Sequence, residues 1–197
     1  MISCPHCRHQ NNREYLSSKM CQGCNKILPI DSHDYFEIFG VKLSLNLTNE
    51  ELEQKLYELQ SLYHPDRYVH RVASEQSIAL ANSAIINQGY HVLKNPLTRA
   101  HHAFQVLGMS PENRAAPIEF IEESFELHAQ LEECESQKEL TDFYTNILKL
   151  EESARQELIT HFEKRAYQEA LSVYIKLKLL ESIKQSITKQ LKHQDAS

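Results

Sequence analysis

Apolar residues return every three or four positions from about Asp34 to the end of the chain, and show no such period before it. Asp34-Tyr35-Phe36-Glu37 reads as an N-cap with an acidic residue three positions on, and Gly40 is placed to stop the short helix it opens. Thr48-Asn49-Glu50-Glu51 reads as a capping box. The helix it begins carries Leu52, Leu56, Leu59 and Tyr63 on one face and ends at Pro65. A third helix is expected from about Ser74 to Leu93, with Ile78, Ala81, Ile85 and Val92 facing inward. Asn95-Pro96 supplies a cap and a first-position proline for a fourth, which reaches Leu107 and stops at Gly108.

Met109 to Pro117, with its prolines and asparagine, is the expected domain boundary. Three longer helices follow. One runs from about Ile118 to Glu135 on a stripe of Phe120, Leu127, Leu131 and Cys134, which makes Cys134 a small core residue. The next opens at the capping box Ser136-Gln137-Lys138-Glu139 and runs to near Glu163. The last spans about Ala166 to Leu191, with Val173, Leu177, Leu180, Ile187 and Leu191 aligned. The expected fold is mainly α: a small N-terminal module over 1–31, a four-helix domain with an antiparallel hairpin over 34–109, and a three-helix bundle over 117–192. Leu28 to His33 reads as a linker.

Composition agrees with helices: among 197 residues there are 4 Gly, 6 Pro and no Trp. The net charge of −6 is uneven, since residues 112–197 hold 11 basic and 17 acidic side chains. An acidic C-terminal part argues against wrapping a nucleic-acid backbone and permits docking on a basic protein surface. No apolar run reaches membrane length, and no signal or transit pattern precedes Cys4. A bacterial cytoplasm is therefore expected, or a mitochondrial matrix if a transit peptide has been removed.

Residues 1–31 lack a core but hold Cys4-Pro5-His6-Cys7 and Cys21-Gln22-Gly23-Cys24. Each Cys-x-x-Cys turn can present two thiolates to one ion, and four sulfurs close a tetrahedral site, as a structural zinc requires. Iron also accepts four thiolates, and His6 and His9 lie close enough in sequence to compete as ligands. A redox pair would need a strand–helix context that is absent here. The site is expected to replace the missing core rather than to catalyse.

His64-Pro65-Asp66 falls between the capped second helix and the long third one. Taken alone it is a proline stop followed by a solvating acid. In this order of helices it resembles the tripeptide of a J-domain. Asp34-Tyr35-Phe36-Glu37-Ile38-Phe39-Gly40, Leu59 to Tyr68, Ser83 to Tyr90 and Lys94-Asn95-Pro96-Leu97-Thr98-Arg99-Ala100 together resemble the HscB family, J-domain co-chaperones of iron–sulfur cluster assembly. The zinc-bearing extension resembles that of eukaryotic and some bacterial members.

The resemblance implies a non-catalytic adaptor. His64, Pro65 and Asp66 would contact a DnaK/HscA-type ATPase, with Lys55, Arg67 and Arg71 supplying positive charge nearby. The helix before the tripeptide departs from the usual basic character, with Glu50, Glu51, Glu53 and Glu58 against Lys55. The fifth helix places Ile121 and Phe125 off its core stripe, which makes them either an outer docking patch or the edge of a wide core. The resemblance favours docking of an IscU-type scaffold through Ile121, Phe125, Glu126 and Glu133, with Leu179 on the last helix near a further contact. Glu122 and Ala129 depart from the family's pattern there. A dimer is also possible. A general J-protein would carry a Gly/Phe-rich linker and a β-rich client domain. A zinc-ribbon nucleic-acid binder would be more basic than residues 1–33, and an enzyme would show histidines at metal or triad spacing.

Overall fold

In a computed structural model the chain is described over residues 2–11 and 20–194. It divides into two compact units, 1–43 with 47–99, and 44–46 with 100–197. The division falls inside the fourth helix and not at 109–117. Ala100, Ala103 and Phe104 explain this: all are fully buried, and Phe104 packs edge-on against Phe162 and Tyr174 of the second unit.

The first unit begins with two short antiparallel strands, β1 (Ile2–Ser3) and β2 (Gln10–Asn11), which bracket the first cysteine pair. Helix α1 (Tyr35–Phe39) is capped by Asp34, whose carboxylate accepts from the Phe36 and Glu37 amides, and is closed by Gly40 at φ 63°. Helix α2 (Asn49–Tyr63) has the full Thr48/Glu51 capping box. Helix α3 (Ala73–Lys94) packs against it as a hairpin, and α4 (Pro96–Val106) follows.

On α2 the buried residues are Leu52, Leu59 and Tyr63, with Leu56 half-buried, as the spacing implies. On α3 the inner face differs from expectation. It is Glu75, Ala79, Asn82, Ile86, Gly89 and Leu93, while Ala81 is exposed and Ile78, Ile85 and Val92 are half-buried. Two polar residues and a glycine occupy the inward positions, so apolar periodicity points to the neighbouring stripe. Gly89 belongs there because α1 comes close: a Cβ would lie 2.6 Å from the Tyr35 ring and 3.0 Å from that of Phe39.

Asn82 is 1% exposed and serves the segment that reads as a linker. Its amide donates to the Leu28 carbonyl at 2.9 Å and its oxygen accepts from the Ile30 N–H at 2.9 Å. Ile27 and Leu28 are buried as well, so residues 27–30 are a docked strip and not a spacer. The spacing of Leu28, Pro29 and Ile30 hides this, because the partner that satisfies their backbone lies more than fifty residues away.

The second unit is built on a long hairpin of α6 (Gln137–Glu163) and α7 (Tyr167–Gln194), turned at Arg165 with φ 60°. Its core includes Leu140, Ile147, Leu158, Phe162, Leu171, Leu180, Ile183 and Ile187. Glu151, nearly buried on α6, accepts from Arg155 at 2.9 Å and from Lys184 of α7 at 2.7 Å. Helix α5 (Ile118–Glu132) lies on α7 through Leu127, Leu131 and a Glu123–Lys176 pair at 2.7 Å. It ends before the expected Glu135. Cys134 therefore leaves the stripe, is half-buried, and shares its thiol with the Gln130 carbonyl.

Asn82→Leu keeps the branched shape of the side chain, with more bulk, but strands the Leu28 carbonyl and the Ile30 amide. It should destabilise the first unit by about 2 kcal/mol, measured by urea unfolding, with amide exchange at Ile30 accelerating.

Candidate functional site

The four cysteines of the N-terminal module come together. Their sulfurs all lie within 4.8 Å of one another, with Cys4–Cys24 at 3.7 Å and Cys7–Cys21 at 3.6 Å. A tetrahedron with bonds of about 2.3 Å has edges of about 3.8 Å, so the set fits a four-coordinate thiolate-bound ion. Each pair is the same turn repeated. The Arg8 amide donates to the Cys4 carbonyl and the Asn25 amide to the Cys21 carbonyl, and Arg8 and Asn25 both take positive φ, 60° and 53°. The His6 amide points at Cys4 Sγ and the Gly23 amide at Cys21 Sγ.

Burial pushes the Cys21 thiol up, but N–H donation from Cys24 and Gly23 and from neighbouring thiols outweighs it and brings it down to about 6. Burial pushes Cys24 the other way, to about 12. Four thiolates this close repel one another, and a cation bound among them would offset that charge. His6 and His9 do not join the cluster.

The His64-Pro65-Asp66 tripeptide lies at the tip of the α2–α3 hairpin. Pro65–Tyr68 is a single 3₁₀ turn, with His64 at its N-cap accepting from the Asp66 amide through Nδ1. Tyr68 is buried beneath the loop and donates its hydroxyl to the Leu62 carbonyl at 2.9 Å. Arg67 reaches back to the Ser61 carbonyl, and Gln76 of α3 holds the Val69 and Arg71 carbonyls at 3.2 and 2.8 Å. The loop is thus braced on both helices. Within it His64 and Asp66 stay open to solvent, with side chains 53% and 84% exposed.

The expected basic helpers are placed differently from one another. Arg67 acts as a cap on α2. Lys55 pairs with Glu58 at 2.9 Å, and both line a cleft of about 500 Å³ walled by Ile38, Phe39, Leu59 and Leu62. Arg71 is exposed and makes no ion pair among the described residues.

On α5, Ile121 and Phe125 are 39% and 74% exposed, so they are not the edge of a wide core. Ile118, 66% exposed, extends the same face, a neighbour that the i, i+3, i+7 spacing would have revealed. Glu122 and Glu126 border it, both exposed. Glu133 lies just past the helix end as its C-cap. Leu179 does not share the exposed seam. It is half-buried in a hollow with Phe120, Ser124 and Leu127, because that flank of α5 is the one turned to α7.

Residues 116–188 match a family model described as the HSCB C-terminal oligomerisation domain. The chain as a whole carries the fold of the solved HscB structures. The crystal structure of human co-chaperone protein HscB is similar at a TM-score of 0.81 and 21% identity, over 95% of this chain and 97% of that one. Chaperone HscB from Vibrio cholerae is similar at a TM-score of 0.71 and 24% identity, over 81% of this chain and 98% of that one. The HscB architecture accounts for both helical units.

The four-sulfur geometry leads to a direct expectation. The purified chain should carry one tetrahedral metal ion, measured by inductively coupled plasma mass spectrometry. Cys21→Ser should lose it together with amide protection over residues 2–11 and 20–27, while α5–α7 stay protected.

Proposed function

We propose that the chain is a non-catalytic co-chaperone. In this reading His64-Pro65-Asp66 stimulates the ATPase of a DnaK/HscA-type chaperone, and α5 brings an iron–sulfur scaffold of the IscU type to it. Zinc is the ion this reading puts in the four-cysteine site, in a structural role, since a closed set of four thiolates leaves no position for substrate.

The observation that carries the reading is the tripeptide itself: His64 and Asp66 are held out to solvent on a loop whose backbone is braced by Tyr68, Arg67 and Gln76. A braced, exposed acid suits a partner cation, because little ordering cost remains when the two meet. Asp66 has His64 Nδ1 at 3.6 Å, and in this reading the pair meets the chaperone, which performs the hydrolysis. The second unit supports the other half of the reading. An exposed Ile118–Ile121–Phe125 seam bordered by carboxylates is apolar at its centre and charged at its rim, the anatomy of a docking face.

Asp66→Ala should abolish stimulation in a steady-state ATPase assay with HscA while leaving the melting temperature unchanged. Full stimulation by that variant would sink the proposal. Phe125→Ala removes the most exposed aromatic anchor and should weaken scaffold binding by about 2 kcal/mol in titration calorimetry. An unaltered affinity would place the docking face elsewhere.

A further inference from the structure

The four clustered cysteines are not equally accessible. Cys4 and Cys21 are 1% and 2% exposed, Cys24 is half-buried, and Cys7 is open to solvent. A dissolved reagent therefore meets the sulfur set at Cys7. Across the site from it lies Cys21, its Sγ 3.6 Å away. Cys21 belongs to the other Cys-x-x-Cys turn, so a bond between these two would run from one turn to the other.

The inner sulfurs also form a core. Cys4, Cys21 and Leu28 are one buried cluster, with Cys24 packed against it. The Leu28 carbonyl is the group that the Asn82 amide holds at 2.9 Å, and the Asn82 oxygen accepts from the Ile30 N–H two residues on. Leu28 thus packs on the sulfurs with its side chain and is tied to α3 by its backbone. The residues that follow, Ile30, Asp31 and Ser32, wall one side of the cleft lined by Leu59 and Leu62 of α2. One residue therefore separates the cysteines from the helices.

We propose that Cys7 and Cys21 are an oxidation site for hydrogen peroxide, and that their disulfide releases the strip at 27–30 from α3. The Cys7 thiolate attacks one peroxide oxygen, breaks the O–O bond, becomes a sulfenic acid and expels hydroxide. The Cys21 thiolate then attacks that sulfur, forms the S–S bond and expels a second hydroxide. Two electrons pass from two thiolates to one peroxide, and no further reactant is needed. A cation held by the four sulfurs loses two of its ligands and is released. An S–S bond is about 2.05 Å long, so the gap of 3.6 Å closes by about 1.5 Å. Cys7 is the outer partner, and Cys21 Sγ is drawn from Leu28, from the Gly23 amide at 3.3 Å and from the Asn11 amide at 3.7 Å. The two Asn82 hydrogen bonds then lose the packing that shields them, and water competes for both groups. The proposal rests on the four-sulfur site and not on the co-chaperone role.

The test treats the full, metal-loaded chain with hydrogen peroxide. Metal release is followed with a chromogenic chelator, disulfides by peptide mass mapping, and docking of the strip by amide exchange. Peroxide should discharge the ion, yield the Cys7–Cys21 disulfide and speed exchange of the Ile30 amide about tenfold, with α6 and α7 unchanged. A thiol reductant with zinc(II) should restore all three. Leu28→Ala keeps every cysteine but removes the side chain that packs on them. In that variant peroxide should still discharge the ion, while Ile30 exchange changes less than about twofold. A disulfide within either Cys-x-x-Cys pair, an ion that stays bound under peroxide, or release of the ion with Ile30 exchange unmoved would each overturn the proposal. So would a Leu28→Ala chain whose Ile30 amide responds as wild type.

Discussion

A single buried amide decides whether the first unit is one body or two. Residues 2–30 have too little apolar surface to fold alone, and a four-thiolate site can fix their shape but not their position against the helices. Asn82 supplies the position. It binds one carbonyl and one N–H of the passing strip, so its donor and acceptor are both used and the strip's backbone is left without an orphan there. Two hydrogen bonds of ordinary length thus do what an apolar contact could not: they select one register of the strip on α3. A hydrophobic residue at this place would bury as well and specify less.

The same logic of satisfied backbone groups runs through the tripeptide loop. Leu62, Ser61, Val69 and Arg71 all offer carbonyls near the hairpin tip, and Tyr68, Arg67 and Gln76 each take one or two. Arg67 is spent in that duty. What remains on the surface is the Asp66 carboxylate with His64 3.6 Å from it, and a pair of exposed valines.

Helix limits and caps were legible in the chain because each has a local cause. Asp34, Thr48 and Ser136 bind the amides of their own first turns, and Gly40 and Gly108 take the positive φ that ends a helix. The cysteine spacing likewise contains its own geometry. What could not be read was non-local. The inner stripe of α3 was hidden because Asn82 and Gly89 face inward for reasons supplied by other elements, namely the strip at 28–30 and the rings of Tyr35 and Phe39. The exposure of Phe125 was open from spacing alone, and only the choice of which flank of α5 meets α7 resolves it.

The bracing of the tripeptide loop has a kinetic side. A segment that already holds one conformation has little to search for at encounter, so its association rate is limited by orientation and not by folding. Its complexes then need few contacts to be selective and can dissociate quickly. On the proposed function this suits a protein that must meet and leave its chaperone repeatedly, a behaviour favoured by the stiffness of nine residues between two helices.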